Sequence, residues 1–91
     1  MYRVEVSPRA ERDLKKLHRQ NRQAYGREVP AIRRLADDPR PQGCKPLSGQ
    51  PAWRIRIGDH RVIYAVADME LTVTILGVAH RRDVYRRRTL G

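Results

Sequence analysis

Arg54, Arg56 and Arg61 are the side chains of this 91-residue sequence best spaced to act on one ligand. They stand in the run Trp53-Arg54-Ile55-Arg56-Ile57-Gly58-Asp59-His60-Arg61-Val62-Ile63-Tyr64, which reads as two β-strands around a tight turn. Side chains alternate between the faces of a strand, so Trp53, Ile55 and Ile57 share one face while Arg54 and Arg56 share the other. Gly58-Asp59 makes a two-residue hairpin loop, with glycine supplying the backbone freedom. That register sets Ile57 opposite His60, Arg56 opposite Arg61, Ile55 opposite Val62 and Trp53 opposite Tyr64. Three guanidiniums then converge on one face of a hairpin whose other face is apolar. Like charges directly opposite each other destabilise a sheet, so stability alone does not select this arrangement. A polyanion relieves the repulsion, and the planar fork of arginine matches phosphate.

The next strand extends the set. Asp68-Met69-Glu70 turns the chain into Leu71 to Ala79, where Leu71, Val73 and Ile75 continue the alternation. With Met69-Glu70 as a two-residue loop, Arg61 falls opposite Val78, and His80 projects to the face of Arg54, Arg56 and Arg61. Strict alternation points Arg81 the other way, and a bulge or bend where the sheet ends brings it round. Tyr85 follows closely enough to fold back over the same face. Guanidiniums, an imidazole and a phenol suit phosphodiester chemistry without a metal: the cations stabilise a pentacoordinate phosphate and the imidazole or phenolate moves protons. For His80 a positioning or surface role stays open beside that of proton carrier, and for Tyr85 a packing role. His60 reads as a hairpin residue near solvent.

Other chemistries lack their residues. His18, His60, His80 and Cys44 show none of the paired spacing of zinc sites, so no metal or other cofactor is expected. There is no Gly-x-Ser-x-Gly elbow and no glycine-rich phosphate loop. Cys44, the single cysteine, sits in a loop rich in proline and glycine, excludes an internal disulfide and fits a reducing cytosol.

The positioning elements follow from pattern. Residues 2–6 alternate as a short strand. Ser7-Pro8 is a helix start, with serine as N-cap and proline in the first turn. Ala10, Leu14 and Leu17 give that helix one apolar stripe, and the bend falls within His18 to Arg22. A second helix covers roughly 22–37 with Tyr25, Val29, Ile32, Leu35 and Ala36 inward; Pro30 predicts either a kink or a fresh start near Val29. Asp37 to Gln50 is a loop. The expected fold is α+β, in the order β-α-α-β-β-β, with a helical hairpin on one face of a small, mostly antiparallel sheet. One domain spans 1–91, ending in a basic segment over 82–91.

Charge narrows the partners. The net charge is +10, and arginine supplies 17 of the 20 basic side chains. Such an excess attracts nucleic acid or an acidic protein. The tail Arg86-Arg87-Arg88 and the outer helix face with Arg9, Arg12, Lys16 and Arg19 are either solvated or add nonspecific phosphate affinity. No signal peptide and no membrane-spanning run is visible, so a cytoplasmic protein without membrane contact is expected.

Three segments together resemble one family: Ser7-Pro8-Arg9-Ala10 with Asp13-Leu14; Lys45-Pro46-Leu47-Ser48-Gly49 ahead of the hairpin; and Val78-Ala79-His80-Arg81-Arg82-Asp83-Val84-Tyr85. The chain is similar to the RelE/ParE superfamily of toxins from type II toxin–antitoxin systems, on the RelE side. The resemblance implies a metal-independent endoribonuclease acting on messenger RNA in the A site of the 70S ribosome, by attack of the ribose 2′-hydroxyl on its neighbouring phosphate. It implies phosphate-binding roles for Arg54 and Arg56 and catalytic roles for Arg61, Arg81, Tyr85 and His80. Tyr85 would stack on a base or act as general base, and Arg81 or His80 would protonate the leaving 5′-oxygen. An acidic antitoxin is implied as partner, with operator DNA bound only through that complex. A gyrase-inhibiting toxin of the ParE type, with no active site of its own, is the alternative.

Overall fold

In the computed structural model the described residues, Met1 to His80, form a five-stranded sheet with two helices on one face. The elements are β1 (Arg3–Val6), α1 (Pro8–Gln20), α2 (Arg22–Arg34), β2 (Lys45–Pro46), β3 (Trp53–Ile57), β4 (His60–Ala67) and β5 (Thr72–His80). The sheet runs β1-β5-β4-β3-β2, antiparallel except where β1 lies parallel to β5. The expected α+β fold is thus present, with one addition: the loop after α2 contributes the two-residue edge strand β2. Arg81, Tyr85 and the 82–91 segment lie outside the described residues.

Both helices start on a side-chain cap. Ser7 Oγ accepts from the amide of Ala10 at 3.1 Å, and Pro8 in the first turn has no N–H to waste. Asn21 closes α1 and opens α2, its Oδ1 accepting from the amide of Ala24 at 3.1 Å. Of the two outcomes expected at Pro30, the fresh start is absent: α2 runs through it. An interior proline costs about 3 kcal/mol, from a lost bond and a clash with the carbonyl four residues back, here that of Gly26. The buried stripe of α2 is also rotated from the expected one: Ala24, Glu28, Ala31, Ile32 and Leu35 face inward, and Tyr25 and Val29 flank them.

The core joins Ala10, Leu17, Ala24, Ile32 and Leu35 of the helical layer to Val62, Tyr64, Val73, Ile75 and Val78 of the sheet. Phenylalanine is absent, so Tyr64 is the largest wholly buried side chain, its hydroxyl donating to the carbonyl of Pro39 at 2.9 Å. Burial raises the pKa of that phenol, keeping it a donor. Arg40 ties the same loop to the sheet: its guanidinium bonds both oxygens of Asp68, at 3.1 and 2.8 Å, and lies 5.3 Å from the centre of the Trp53 ring. Tyr2 donates to the same carboxylate at 2.6 Å. Arg40 and then Tyr2, bonded to Asp68, hold its pKa below the usual carboxylate value.

Candidate nucleic-acid interface

The hairpin register is the one its sequence dictates: Trp53 opposite Tyr64, Ile55 opposite Val62, Arg56 opposite Arg61 and Ile57 opposite His60. Gly58 takes φ +60°, as the first central position of a two-residue hairpin turn of the glycine-first kind requires, whereas Asp59 keeps a negative φ. Val62 and Tyr64 point into the helical layer, which leaves Arg54, Arg56 and Arg61 on the opposite face. Arg56 is exposed; Arg54 and Arg61 are half-buried. Among the described residues neither Arg54 nor Arg56 forms an ion pair.

A fourth cation joins this face that chemical inspection of the sequence does not assign. Lys45 of β2 pairs directly with Arg54. Two like-charge cross-strand pairs, Lys45 with Arg54 and Arg56 with Arg61, therefore lie side by side on three adjacent strands. Each is unfavourable in an empty sheet. The signal in the sequence was a lysine in front of a proline, and a two-residue strand is too short for any alternation to reveal.

His80 goes elsewhere than the strand pattern predicts. β5 carries a bulge: Tyr64 pairs with Ile75 and Ile63 with Gly77, so Leu76 is an extra residue. One inserted residue exchanges the faces of everything after it. Arg61 accordingly pairs with Ala79 rather than Val78, and His80 pairs with His60, their rings edge-to-face at 5.4 Å. Both imidazoles border a small cavity of about 90 Å³ beside Asp13, Lys16, Leu17 and Gln20 of α1. The shared face expected for His80 and the three arginines is thus corrected: His80 sits with His60 on the helix side. Arg81 and Tyr85 are outside the described residues.

Two acids on the helices also went unread. Asp13 accepts from the amide of Val78 through Oδ2 at 3.0 Å. Glu28 is 1% exposed, its Oε1 has no hydrogen-bond partner, and burial pushes its pKa up to about 7. The available signal was an acid inside each apolar stripe: Asp13 between Ala10 and Leu17, Glu28 between Ala24 and Ile32. Among the described residues no group of three or more His, Cys, Asp and Glu side chains is gathered to hold a metal ion, and no helix is long and apolar enough to cross a membrane.

The arrangement can grip a phosphodiester backbone. Guanidiniums and an ammonium spaced along adjacent strands offer forked and single donors, and among the described residues no acid pairs with Arg54 or Arg56. Comparison with known proteins places the chain among toxins of toxin–antitoxin systems. The family described as "ParE toxin of type II toxin-antitoxin system, parDE" matches residues 4–85. The toxin–antitoxin complex RelBE2 of Mycobacterium tuberculosis contains a chain 30% identical to this one, with a TM-score of 0.74, covering 88% of this chain and 98% of that one. In the archaeal RelE–RelB complex of Pyrococcus horikoshii the figures are 28%, 0.75, 88% and 94%. A YoeB/ParE toxin of Agrobacterium tumefaciens shares the fold, with a TM-score of 0.75 at 18% identity over 86% of this chain and 96% of that one. No curated protein matches the sequence.

Proposed function

The chain belongs to the family of ParE toxins of type II toxin–antitoxin systems, and from the charge carried on its sheet we propose that this toxin is an endoribonuclease that cuts messenger RNA on the ribosome. The observation that carries the reading is the double row of like charges, Lys45 with Arg54 and Arg56 with Arg61, on the sheet face away from the helices. A toxin acting only by docking on a protein needs no such phosphate-sized concentration of guanidiniums.

The reaction needs little beyond charge and proton traffic. The ribose 2′-oxygen attacks the adjacent phosphorus, its proton passing to a base. The bond from phosphorus to the 5′-oxygen of the next nucleotide breaks, and that oxygen takes up a proton, leaving a 2′,3′-cyclic phosphate and a 5′-hydroxyl. Arg61, with Arg54 and Arg56, neutralises the extra negative charge on the phosphorane oxygens, the step at which fixed donors matter most. Tyr85 serves as base or base-stacking platform. Arg81 supports the leaving oxygen, a role that suits His80 less because His80 turns toward α1. The related chains in the RelBE2 and RelE–RelB complexes are bound to antitoxins; this toxin likewise pairs with a cognate antitoxin, acidic enough to cover the basic face, and operator DNA is reached through that pair. The cytoplasm is where it would act.

The test is incubation of the purified protein with translating ribosomes programmed with a defined message. Cleavage within the A-site codon, cyclic phosphate ends and its loss in Arg61→Ala are expected. An intact message overturns the reading. The alternative is a toxin that poisons DNA gyrase and has no active site of its own; inhibited supercoiling with gyrase trapped on cut DNA, and no RNA cleavage, would establish it instead.

A further inference from the structure

The far end of β5 is held from outside the sheet, by the first helix. β1 accompanies β5 only from Thr72 to Ile75. The chain then leaves the sheet: the amide of Ser7 still donates to the carbonyl of Ile75 at 3.0 Å, and α1 begins at Pro8. From Leu76 onward the edge of β5 that β1 served would face no strand. Two side chains take over from it. Ser7 Oγ donates to the carbonyl of Leu76, the bulge residue, at 3.3 Å, and Asp13 Oδ2 accepts from the amide of Val78 at 3.0 Å. The bond to the carboxylate is the stronger of the two, because a charged partner roughly doubles such a bond. Asp13 Oδ2 also passes close to Gly77, 3.4 Å from where a methyl there would lie.

We propose that Asp13 is a positioning residue, whose carboxylate fixes the bulged end of β5 and thereby the residues that β5 delivers. Strand pairing alone offers Val78 to His80 two registers differing by one residue, with and without the bulge. Tied to α1 through its amide, Val78 is committed inward, His80 meets His60, and Ala79 is the residue beside Arg61. The residues assigned to catalysis beyond His80 follow this segment directly in the sequence. In its catalytic consequence the inference rests on the proposed ribonuclease reading; in its geometric claim it does not.

The experiment compares the whole protein with Asp13→Ala and Asp13→Asn. Asparagine keeps an oxygen that can accept from the Val78 amide and discards the charge. Amide hydrogen exchange at Val78 and the NMR shifts of the His60 and His80 rings report geometry; cleavage on translating ribosomes, resolved into kcat and KM, reports function. Asp13→Ala is expected to expose the Val78 amide to exchange, move both imidazoles and lower kcat roughly 10²-fold, the cost of an ångström-scale misplacement remote from the chemistry, with KM little changed. Asp13→Asn is expected to restore most of each. A protected Val78 amide and unmoved imidazole signals in Asp13→Ala overturn the proposal, and so does equal impairment of the two variants. If the wild-type protein cuts no RNA, the ribonuclease reading falls, and the exchange and ring-shift data still decide the positioning claim. If Asp13→Ala does not fold, Asp13→Asn decides it through the same exchange and ring signals, which must stay close to wild type.

Discussion

Arg40 and Arg56 are the same side chain put to opposite uses at two ends of one sheet. Arg40 is bidentate to Asp68, with Trp53 beside its plane and Tyr2 completing the carboxylate's partners. Arg56 faces Arg61, its neighbour Arg54 faces Lys45, and no acid among the described residues pairs with Arg54 or Arg56. Where an arginine fastens a loop to this fold, the sequence supplies an acid and an aromatic ring. Among the described residues no acid is paired with Arg54 or Arg56. The first arrangement is explained by stability; the second is the one a bound polyanion would relieve.

The largest effect that would break this contrast is kinetic. Arg61→Ala should lower cleavage on ribosomes by about 10³-fold and Arg56→Ala by about 10²-fold, the range for removing one donor aimed at developing charge. Arg56→Ala should leave the melting temperature unchanged or raised, since it removes a repulsive cross-strand pair. A large loss of stability in Arg56→Ala would make that arginine structural after all.

Glu28 sharpens the contrast from the other sign, being a buried acid with no answering donor. Its pKa rises from the ordinary 4.5 to about 7 on folding, mainly through burial, with Arg27 pulling weakly the other way. The folded state therefore prefers the proton: its benefit is complete below the unfolded value and is lost as pH rises through about 7. The span of that shift corresponds to roughly 3 kcal/mol. Urea melts across this window should show stability falling with pH in the wild type more steeply than in Glu28→Gln. Parallel slopes would refute the assignment.

A smaller effect is expected at the fastened arginine. Asp68→Asn should lower the melting temperature slightly, less so in high salt, because the pair is largely exposed. Cleavage should be untouched, which is the opposite pattern to Arg56→Ala. Smallest of all, Leu71 holds φ +49° in the turn before β5 while half-exposed. Leu71→Asn should stabilise the fold by about 0.5 kcal/mol, since asparagine enters that left-handed region more readily than leucine; thermal unfolding measures it.

What could be read from the sequence was what local geometry decides. The hairpin register from Trp53 to Tyr64 needs only alternation and a glycine-first turn, and every pair in it appears as read. The Ser7 cap and Pro8 start of α1 are equally local. The misreadings arise where distant parts meet. Leu76 is bulged where β1 turns away and Ser7 and Asp13 take up the backbone of β5, and nothing in the run Thr72 to His80 announces that. His80 changed faces for that reason alone. Pro30 stays within α2, and Glu28 turns inward because the helix rotates by about one position against the sheet.

The parallel seam between Arg3–Val6 and Thr72–Ile75 also sets a schedule. Among the described residues these are the first and last strands to be synthesised, and β1 has no other partner in the sheet. Until the last strand emerges, the first has nothing to pair with, and the helix pair has no completed surface to rest on. Contacts so far apart along the chain form late and slowly. Synthesis therefore imposes a delay: the sheet formed by the described residues is complete only once β5 has been made, and until then the toxin is unfinished.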